Sequence, residues 1–512
     1  MTTSAQRSPH QAPLAVFAIV FSTAFASPAL AQPSVESTAL TLRVAIETAL
    51  DRNLGLQSAR REPVFAEAAK AEAEAGFETR LFGGVSLFND EQDSTGTTSD
   101  RRNLSAGANR RLQSGTDLTA ETSYSRSDGS FFNNDLNQSV GGQLSHSADL
   151  RVTVRQPLWA GRGSRVTLSQ LRQAQLGEAA TALELRATVL DVLAATERAY
   201  WETAAAQQIR DLRQSSVDVA ESLLTETVAR EELGLVTRIE VLQAQASLAA
   251  RRDDVLVAQR DLDNAEDRLL EQLGVLVAEV PVERDWALDG LPAANREGVL
   301  WDGVWQAALA ADPTVAAREL RVDQQEEQRL RAKDATRPDL DAVVTAGTTG
   351  LDNRESREAY NDAFNADGHF WSVGLEFSMP WSFKAEKARL REAEARVEQA
   401  EIAVVERRQA LLAEVRSAWR AVKIAQERLS STGASLALQE ATFAQELARR
   451  DNGLATTREV LEAQSDLDAA RLTDLQARVD LVQAFVSLAR LDGSLLDRYA
   501  LSWDQLALTS NF

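Results

Sequence analysis

The stretch GLVTRIEVLQAQASL at residues 234–248 is written a second time, as GLATTREVLEAQSDL, at residues 453–467. Nine of the fifteen positions are identical, at a constant offset of 219. A repeat of this length points to a chain built from two similar halves. Each copy follows a long segment free of proline and itself begins a helix, so it reads as a tight turn between two helices. Gly234 and Gly453 are natural stops for the incoming helix. Thr237 and Thr456 fit as N-caps of the returning helix, with Glu240 and Glu459 three residues on as capping-box partners. A turn copied this closely is a candidate working part as well as a connection.

Working outward, no proline occurs from 158 to 280 or from 381 to 512. Both stretches are rich in Ala, Leu, Glu, Gln and Arg, the strong helix formers. Leu176, Leu183 and Leu190 recur every seven residues, with Leu193 and Tyr200 on the adjacent seam. That spacing suits coiled-coil packing or an ordinary long bundle helix. Helices from about 165 to 231 and about 385 to 450 would each be on the order of 100 Å long. That is too long for a compact core and suits a rod or a tunnel wall. A shorter helix precedes each half. Ala49-Leu50-Asp51-Arg52-Asn53 matches Ala308-Leu309-Ala310-Ala311-Asp312, and helices follow to about 76 and about 335.

Between the helices, apolar and polar residues alternate. Leu150, Val152 and Val154 alternate with Arg151, Thr153 and Arg155, and Trp371, Val373, Leu375, Phe377 and Met379 alternate with small or polar residues. Each run ends in a proline beside aromatics, Pro157 with Trp159 and Pro380 with Trp381 and Phe383. This is the pattern of a transmembrane barrel strand, one face to lipid, one to water, with aromatics at the interface. A half-buried strand of a soluble sheet alternates in the same way. Further strands read at 81–89 and 339–348. The first half carries 36 extra residues, which would include 101–126, where Ser114-Gly115 fits a hairpin turn. The insertion is either an enlarged external loop or two more barrel strands.

Residues 1–31 read as a secretory signal: Arg7, then an apolar core from Leu14 to Phe25, then Ala29-Leu30-Ala31 before Gln32. Its removal takes the formal net charge from −21 to −22, which disfavours nucleic acid. The chain has no cysteine and three histidines, one of them His10 in the signal. Disulfides, thiolate metal sites and histidine-based catalysis are therefore not expected. Neither a phosphate-binding glycine loop nor a serine elbow is present. The chain reads as no enzyme and as needing no cofactor or metal. After the signal no apolar run reaches eighteen residues, so membrane entry would require a β-barrel.

Taken together, these features resemble the TolC-type outer-membrane efflux channel family over nearly the whole mature chain. They are the duplicated helix–strand–strand–helix–helix plan, the AL-x-x-N/D lead-in helices, the strand-end prolines and the G-L-x-T-x-x-E-V-L-x-A-Q turn. The resemblance implies a mainly α protein with a membrane β-barrel portion. Three protomers would share a twelve-stranded barrel, eighteen if the extra hairpin joins the wall, continued by a long α-helical periplasmic tunnel. The divisions would be the signal peptide 1–31, a first repeat 32–285 with its helical hairpin at 165–274, a second repeat 286–495 with its hairpin at 385–491, and a tail 496–512. The implied role is an exit duct in the outer membrane of a Gram-negative bacterium, extending into the periplasm. It would pass substrates from an inner-membrane transporter through a periplasmic adaptor, in a tripartite efflux or type I secretion system. Its partners would be two further copies, the adaptor, the transporter and outer-membrane lipid.

The resemblance also implies site residues. An acidic ring six and nine residues after the second-half glycine falls on Glu459 and Glu462, which a spacing of three places on one helical face. Converged carboxylates raise one another's pKa and attract cations. The residues alone allow a capping Glu459 and a solvated Glu462. Some members carry an arginine two residues after that glycine, where this chain has Ala455. Arg458, Arg450 or Arg238, paired with Glu240, would then close the tip. The turns at Gly234, Leu235 and Thr237, and at Gly453, Leu454 and Thr456, resemble adaptor-docking points, or simply end helices. Trp159, Trp371, Trp381 and Phe383 would mark the membrane interface. The rival is a periplasmic adaptor or spacer without a pore, which should show one helical hairpin between small β domains.

Overall fold

The computed structural model describes residues 40–92, 97–133, 138–141, 144–275, 286–292, 301–366 and 368–501. The signal reading lies outside the described residues, as does the tail beyond 501. The chain opens with α1 (Leu42–Arg52), α2 (Leu54–Ala59) and α3 (Glu62–Ala75), then strands β1 (Arg80–Gln92), β2 (Thr97–Arg111), β3 (Asp117–Asn133), β4 (Gln138–Gly141) and β5 (Ser145–Pro157). A short α4 (Ser164–Thr167) leads into α5 (Ser169–Glu232) and α6 (Arg238–Leu273). After α7 (Trp301–Ala311) and α8 (Pro313–Asp334) come β6 (Asp339–Asp352), α9 (Ser356–Asn365) and β7 (Gly368–Ser378). The chain then runs through α10 (Lys384–Asp451), α11 (Thr457–Leu491) and α12 (Ser494–Arg498).

Two helices set the scale. α5 has 64 residues and α10 has 68, roughly 96 and 102 Å. Their return helices, α6 and α11, have only 36 and 35 residues. The sheet-side half of each long helix must therefore find another partner. α8 fills the gap on both. Its Arg321 and Glu327 meet Glu184 and Arg172 of α5, and its Glu319 meets Arg408 of α10. Among the described residues, no helix is long and apolar enough to cross a membrane.

Where the return helices stop, the short helices close a waist. Gly274, at φ +70°, ends α6 so close to α1 that a β-carbon there would lie 2.1 Å from the Arg52 carbonyl oxygen. Gly493, at φ +77°, ends α11, where a β-carbon would lie 2.7 Å from Ala311 Cβ. The AL-x-x-N/D pattern finds its reason here. Asn53 caps α2 and donates to the Gln272 carbonyl at 2.9 Å. Asp312 caps α8 through the Thr314 and Val315 amides and takes Arg407 of α10 at 2.7 Å. The waist core is apolar: Ile46 and Leu50 of α1 with Leu190 and Leu193 of α5, and Val304 and Ala308 of α7 with Leu411 and Val415 of α10.

The strands form one antiparallel sheet in the order β1-β2-β3-β5-β6-β7, with β4 beside β3. The hairpin whose place the sequence left open lies inside it. β2 and β3 join through a turn in which Gly115 takes φ +90°. Six long strands stand side by side, with two in the second half and four in the first. Register gives the sheet two unlike faces. One carries Leu81, Ala108, Ala120, Val152, Ala346 and Trp371 in a single row. The other carries Arg155, ion-paired with Asp341 at 2.8 Å and Glu376 at 2.6 Å. On that polar face a β-carbon at Gly107 or Gly347 would strike the ring of Phe82 or Phe370. Glycines that bend a sheet, filled by an aromatic from the next strand, belong to its concave side.

Gly274→Ala should lower the thermal midpoint by several degrees, read by circular dichroism. Gly234→Ala, with similar φ but nothing within 4 Å of the new β-carbon, should show only the backbone cost of about 1–2 kcal/mol. Burial raises the pKa of Asp312, but the Thr314 and Val315 hydrogen bonds and Arg407 outweigh it and hold the carboxyl below its usual range. Its stabilisation is therefore full above about pH 4 and is lost as pH falls through the depressed native value. Asp312→Asn keeps the cap and should flatten that part of an acid titration of stability.

Candidate functional site at the hairpin tips

Both tips are built on the same hydrogen-bond frame. The Gly234 and Leu235 amides donate to the Glu231 and Arg230 carbonyls at 2.8 and 2.9 Å; those of Gly453 and Leu454 donate to Arg450 and Arg449 at 2.9 and 2.8 Å. This is a Schellman ending with a left-handed glycine, φ +73° and +70°. Such endings usually bury the residue after the glycine against the last helical turn. Here that turn offers Arg230 and Arg449, so Leu235 and Leu454 stay 70% and 69% exposed. The first tip adds Leu233, Ile239 and Leu242, all exposed. At the matching places the second has Asn452, Arg458 and Leu461, the last half-buried. One tip is therefore greasy and the other polar.

The return helices start with capping boxes at Thr237/Glu240 and Thr456/Glu459. The Thr456 backbone N–H, at 2.6 Å, and then its hydroxyl donate to the Glu459 carboxylate and hold its pKa below the usual range. Within the protomer Glu459 is thus an ionised cap. Glu462 pairs with Arg458 at 2.9 Å, both largely exposed. The closing network differs from the sequence expectation. Arg238 pairs with Glu231 at 3.2 Å, Arg450 with Glu226 at 2.5 Å and Arg458 with Glu462. Glu240 instead accepts from the Thr457 hydroxyl of the other hairpin at 3.0 Å.

That hydroxyl belongs to a polar seam between the two hairpins, which sequence reasoning missed. Arg450 and Arg230 share Glu226 and Asp451 across it. Further from the tip, Arg251 of α6 meets Asp468 of α11 at 2.6 Å, with only 10% and 5% of their side chains exposed. Gln464 donates to the Ser216 carbonyl at 3.4 Å. Beside the seam, a cleft of about 680 Å³ opens between α5 and α10, with Val219, Glu226, Phe443, Leu447 and Val460 in its walls. A signal existed: Val241, Ala244, Leu248, Arg251, Ala258 and Leu262 follow heptad-like spacing and are all buried, so Arg251 is a charge in an apolar seam.

At the other end of the molecule, Trp159 and Trp381 are exposed where strands give way to helices, and Trp159 stacks edge-on against Phe377. Phe383 starts α10 in a left-handed conformation, φ +48°. Trp371 lies near the loop end of β7, 75% exposed.

The sequence profile of outer membrane efflux proteins matches residues 103–275 and 304–494. The chain belongs to the outer membrane efflux protein family. Family membership places it in the outer membrane, with an extension into the periplasm. A curated relative, outer membrane efflux protein BepC of Brucella suis biovar 1 (strain 1330), is 24% identical over 298 residues. That alignment takes in 58% of this chain and 62% of the relative, less than two thirds of its length. The fold is shared with the outer-membrane channel OprN, at 20% identity, TM-score 0.67, and 88% and 89% of the two chains. It is also shared with the Campylobacter jejuni CmeC channel, at 14% identity, TM-score 0.65, and 88% and 85%. The open-state Neisseria gonorrhoeae MtrE channel matches at 17% identity, TM-score 0.63, and 88% of each chain.

Arg251→Ala strands a buried carboxylate and should destabilise the folded protein by about 3–5 kcal/mol. The paired change Arg251→Met with Asp468→Leu removes both charges and should recover most of that loss. Guanidinium unfolding curves of the three proteins decide between this and a solvated pair, for which both variants would stay near wild type.

Proposed function

We propose that this family member is the exit duct of a tripartite efflux or type I secretion assembly. The observation that carries the reading is the sheet: one face apolar, one polar, and its outermost strands β1 and β7 each with an edge that no strand among the described residues pairs. Unpaired backbone groups are not tolerated in lipid, so each edge needs another copy. Three copies with six long strands apiece would close an eighteen-stranded barrel, in place of the twelve expected from four. The polar face with Arg155, Asp341 and Glu376 would line the water-filled bore. The two halves, 32–285 and 286–495, would each supply a helical hairpin to the tunnel below.

The unlike tips divide the work. The greasy first tip, with Leu235 beside Gly234 and Thr237, is the better seat for a periplasmic adaptor. The second, at Gly453, Leu454 and Thr456, would sit nearer the axis. There Glu459 and Glu462 of three protomers form an acidic ring. Glu240, Arg238, Arg450 and Arg458 hold the tips in place, with Arg251–Asp468 as the buried latch between hairpins. An inner-membrane transporter supplies the energy, and the duct itself does no chemistry. A pore-free adaptor is disfavoured, because it would have no use for a sheet with two such faces.

The assembly should conduct small cation-selective currents in a planar bilayer, blocked by trivalent cations from the helical side. Glu459→Gln with Glu462→Gln keeps the capping box, since glutamine also caps, and should weaken that block about tenfold or more. Block unchanged in the double variant returns both glutamates to capping and solvation. A folded, inserted assembly that stays silent, for wild type and for the Arg251→Met/Asp468→Leu latch variant alike, overturns the duct.

A further inference from the structure

On the apolar face of the sheet, one row toward the loops sets two arginines side by side. Register places Leu87, Arg102, Arg126, His146 and Asp352 side by side across five strands. Arg102 and Arg126 therefore share the face of Leu104, Ala106, Ala120 and Tyr124. On β2 that face runs from Arg102 to Arg110, eight residues or about 27 Å of strand. At a strand tilt of about 40° this is about 21 Å of height, close to the apolar band of an outer-membrane barrel. Arg102 and Arg126 thus stand at the boundary nearest the loops, pointing the way lipid would lie. Their side chains are 55% and 38% exposed. Each has an acid one row further out: Asp100 takes Arg102 through Nε and Nη2 at 3.3 and 3.1 Å, and Asp128 lies 3.9 Å from Arg126.

Below the arginines the same face is hollow. A cleft of about 680 Å³ lies against Ala106, Ala120, Thr122, Leu150 and Val152. Small side chains on neighbouring strands make its floor. Its wall is α9, which is seated on the face and is no loose loop. Ala359 and Ala363 are buried against Ala148, and a β-carbon at Gly350 would lie 1.9 Å from the Ala359 carbonyl oxygen. Tyr360 stacks on Tyr124 at 5.6 Å, and Tyr124 hydrogen-bonds His146 at 2.7 Å. The end of α9 then hangs Phe364, 71% exposed, over the cleft. From Arg102 to Ala106 is four residues, about 14 Å along the strand, the span from a headgroup to the first part of an acyl chain.

We infer that this face is a binding site for an anionic lipid, its phosphate held by Arg102 and Arg126 and one acyl chain lying in the alanine-floored cleft under Phe364. Arginine forks suit phosphate oxygens in a way a lone positive charge does not. A lipid seated here would pin α9 and with it the β6–β7 connection at the outer end of the duct. The site rests on the reading above that the apolar face is turned to the bilayer.

The test uses the intact, detergent-solubilised assembly and native mass spectrometry. The probes are bis-phosphorylated lipid A, the same lipid without its phosphates, and inorganic phosphate. Expected are lipid A adducts that inorganic phosphate does not displace. Binding should weaken about tenfold or more in Arg102→Gln/Arg126→Gln, which loses two charge-assisted contacts. It should weaken comparably in Ala120→Phe, which fills the cleft and keeps the charges. Equal binding by both variants overturns the site, as does equal binding of the dephosphorylated lipid. Larger assemblies in place of lipid adducts overturn it in favour of a contact between copies. Bilayer currents of the same preparations separate the two readings. Conducting wild type with lipid binding indifferent to the variants sinks only the lipid site, whereas failure of the protein to insert at all sinks the membrane reading beneath it.

Discussion

A strand at the edge of a sheet carries a row of N–H and C=O groups that need partners, and lipid offers none. Most of this chain's architecture can be understood as a response to that constraint. Among the described residues, β1 and β7 lie at opposite ends of the sheet order with no strand outside them. A single copy therefore holds an open sheet, and under the proposed duct its closure would come from other copies. The sheet is prepared for it. Its faces differ in chemistry from row to row, and Gly107 and Gly347 bend it toward the polar side under the rings of Phe82 and Phe370. The same demand explains why the inserted hairpin sits in the wall. Its strands carry the same two-faced alternation as β5 to β7, so pairing them satisfies their backbones and their side chains together.

The helices answer a different problem, that of length. Helices of about 100 Å cannot be buried by return helices half as long, and α8 is the piece that completes the cover on α5 and α10. The waist is where these pieces meet. There the order of the chain depends on a few backbone-level fits. Gly274 presses against Arg52 and Gly493 against Ala311, while Asn53 and Asp312 cap one helix and hold its neighbour. Apolar packing at the waist contrasts with the polar seam below it. Charges such as Arg251 and Asp468 contribute little net stability compared with a packed apolar pair, but they are matched to one arrangement. That would suit them to a junction between two hairpins that, in the proposed duct, separate and return.

The tips show how the same local frame can serve different ends. Both turns satisfy the helix-end carbonyls and amides in the same way, because glycine in the left-handed region allows it. What they present outward is set by the few positions at which the copies differ. Leu233 and Ile239 on one side, against Asn452 and Arg458 with its partner Glu462 on the other, give one surface that wants an apolar partner and one that holds charge.

The chain's order alone determined a good deal. Proline-free runs with seven-residue spacing are enough for long helices, since helix propensity and periodicity are local properties. Alternation with closing prolines was enough for strands β5 and β7. The copied turn was enough to locate both tips and their caps, down to Thr237 with Glu240 and Thr456 with Glu459. Tertiary structure decided what depends on residues far apart in the chain. Whether 101–126 is loop or wall rests on whether β3 finds β5, which no local pattern records. The partners of Arg238, Arg450 and Arg458 rest on how the hairpins lean together, so the expected pairing with Glu240 gave way to Thr457. Arg102, Arg126 and the cleft beneath Phe364 become neighbours only through strand register, because a shift of one residue would turn every one of those side chains to the other face.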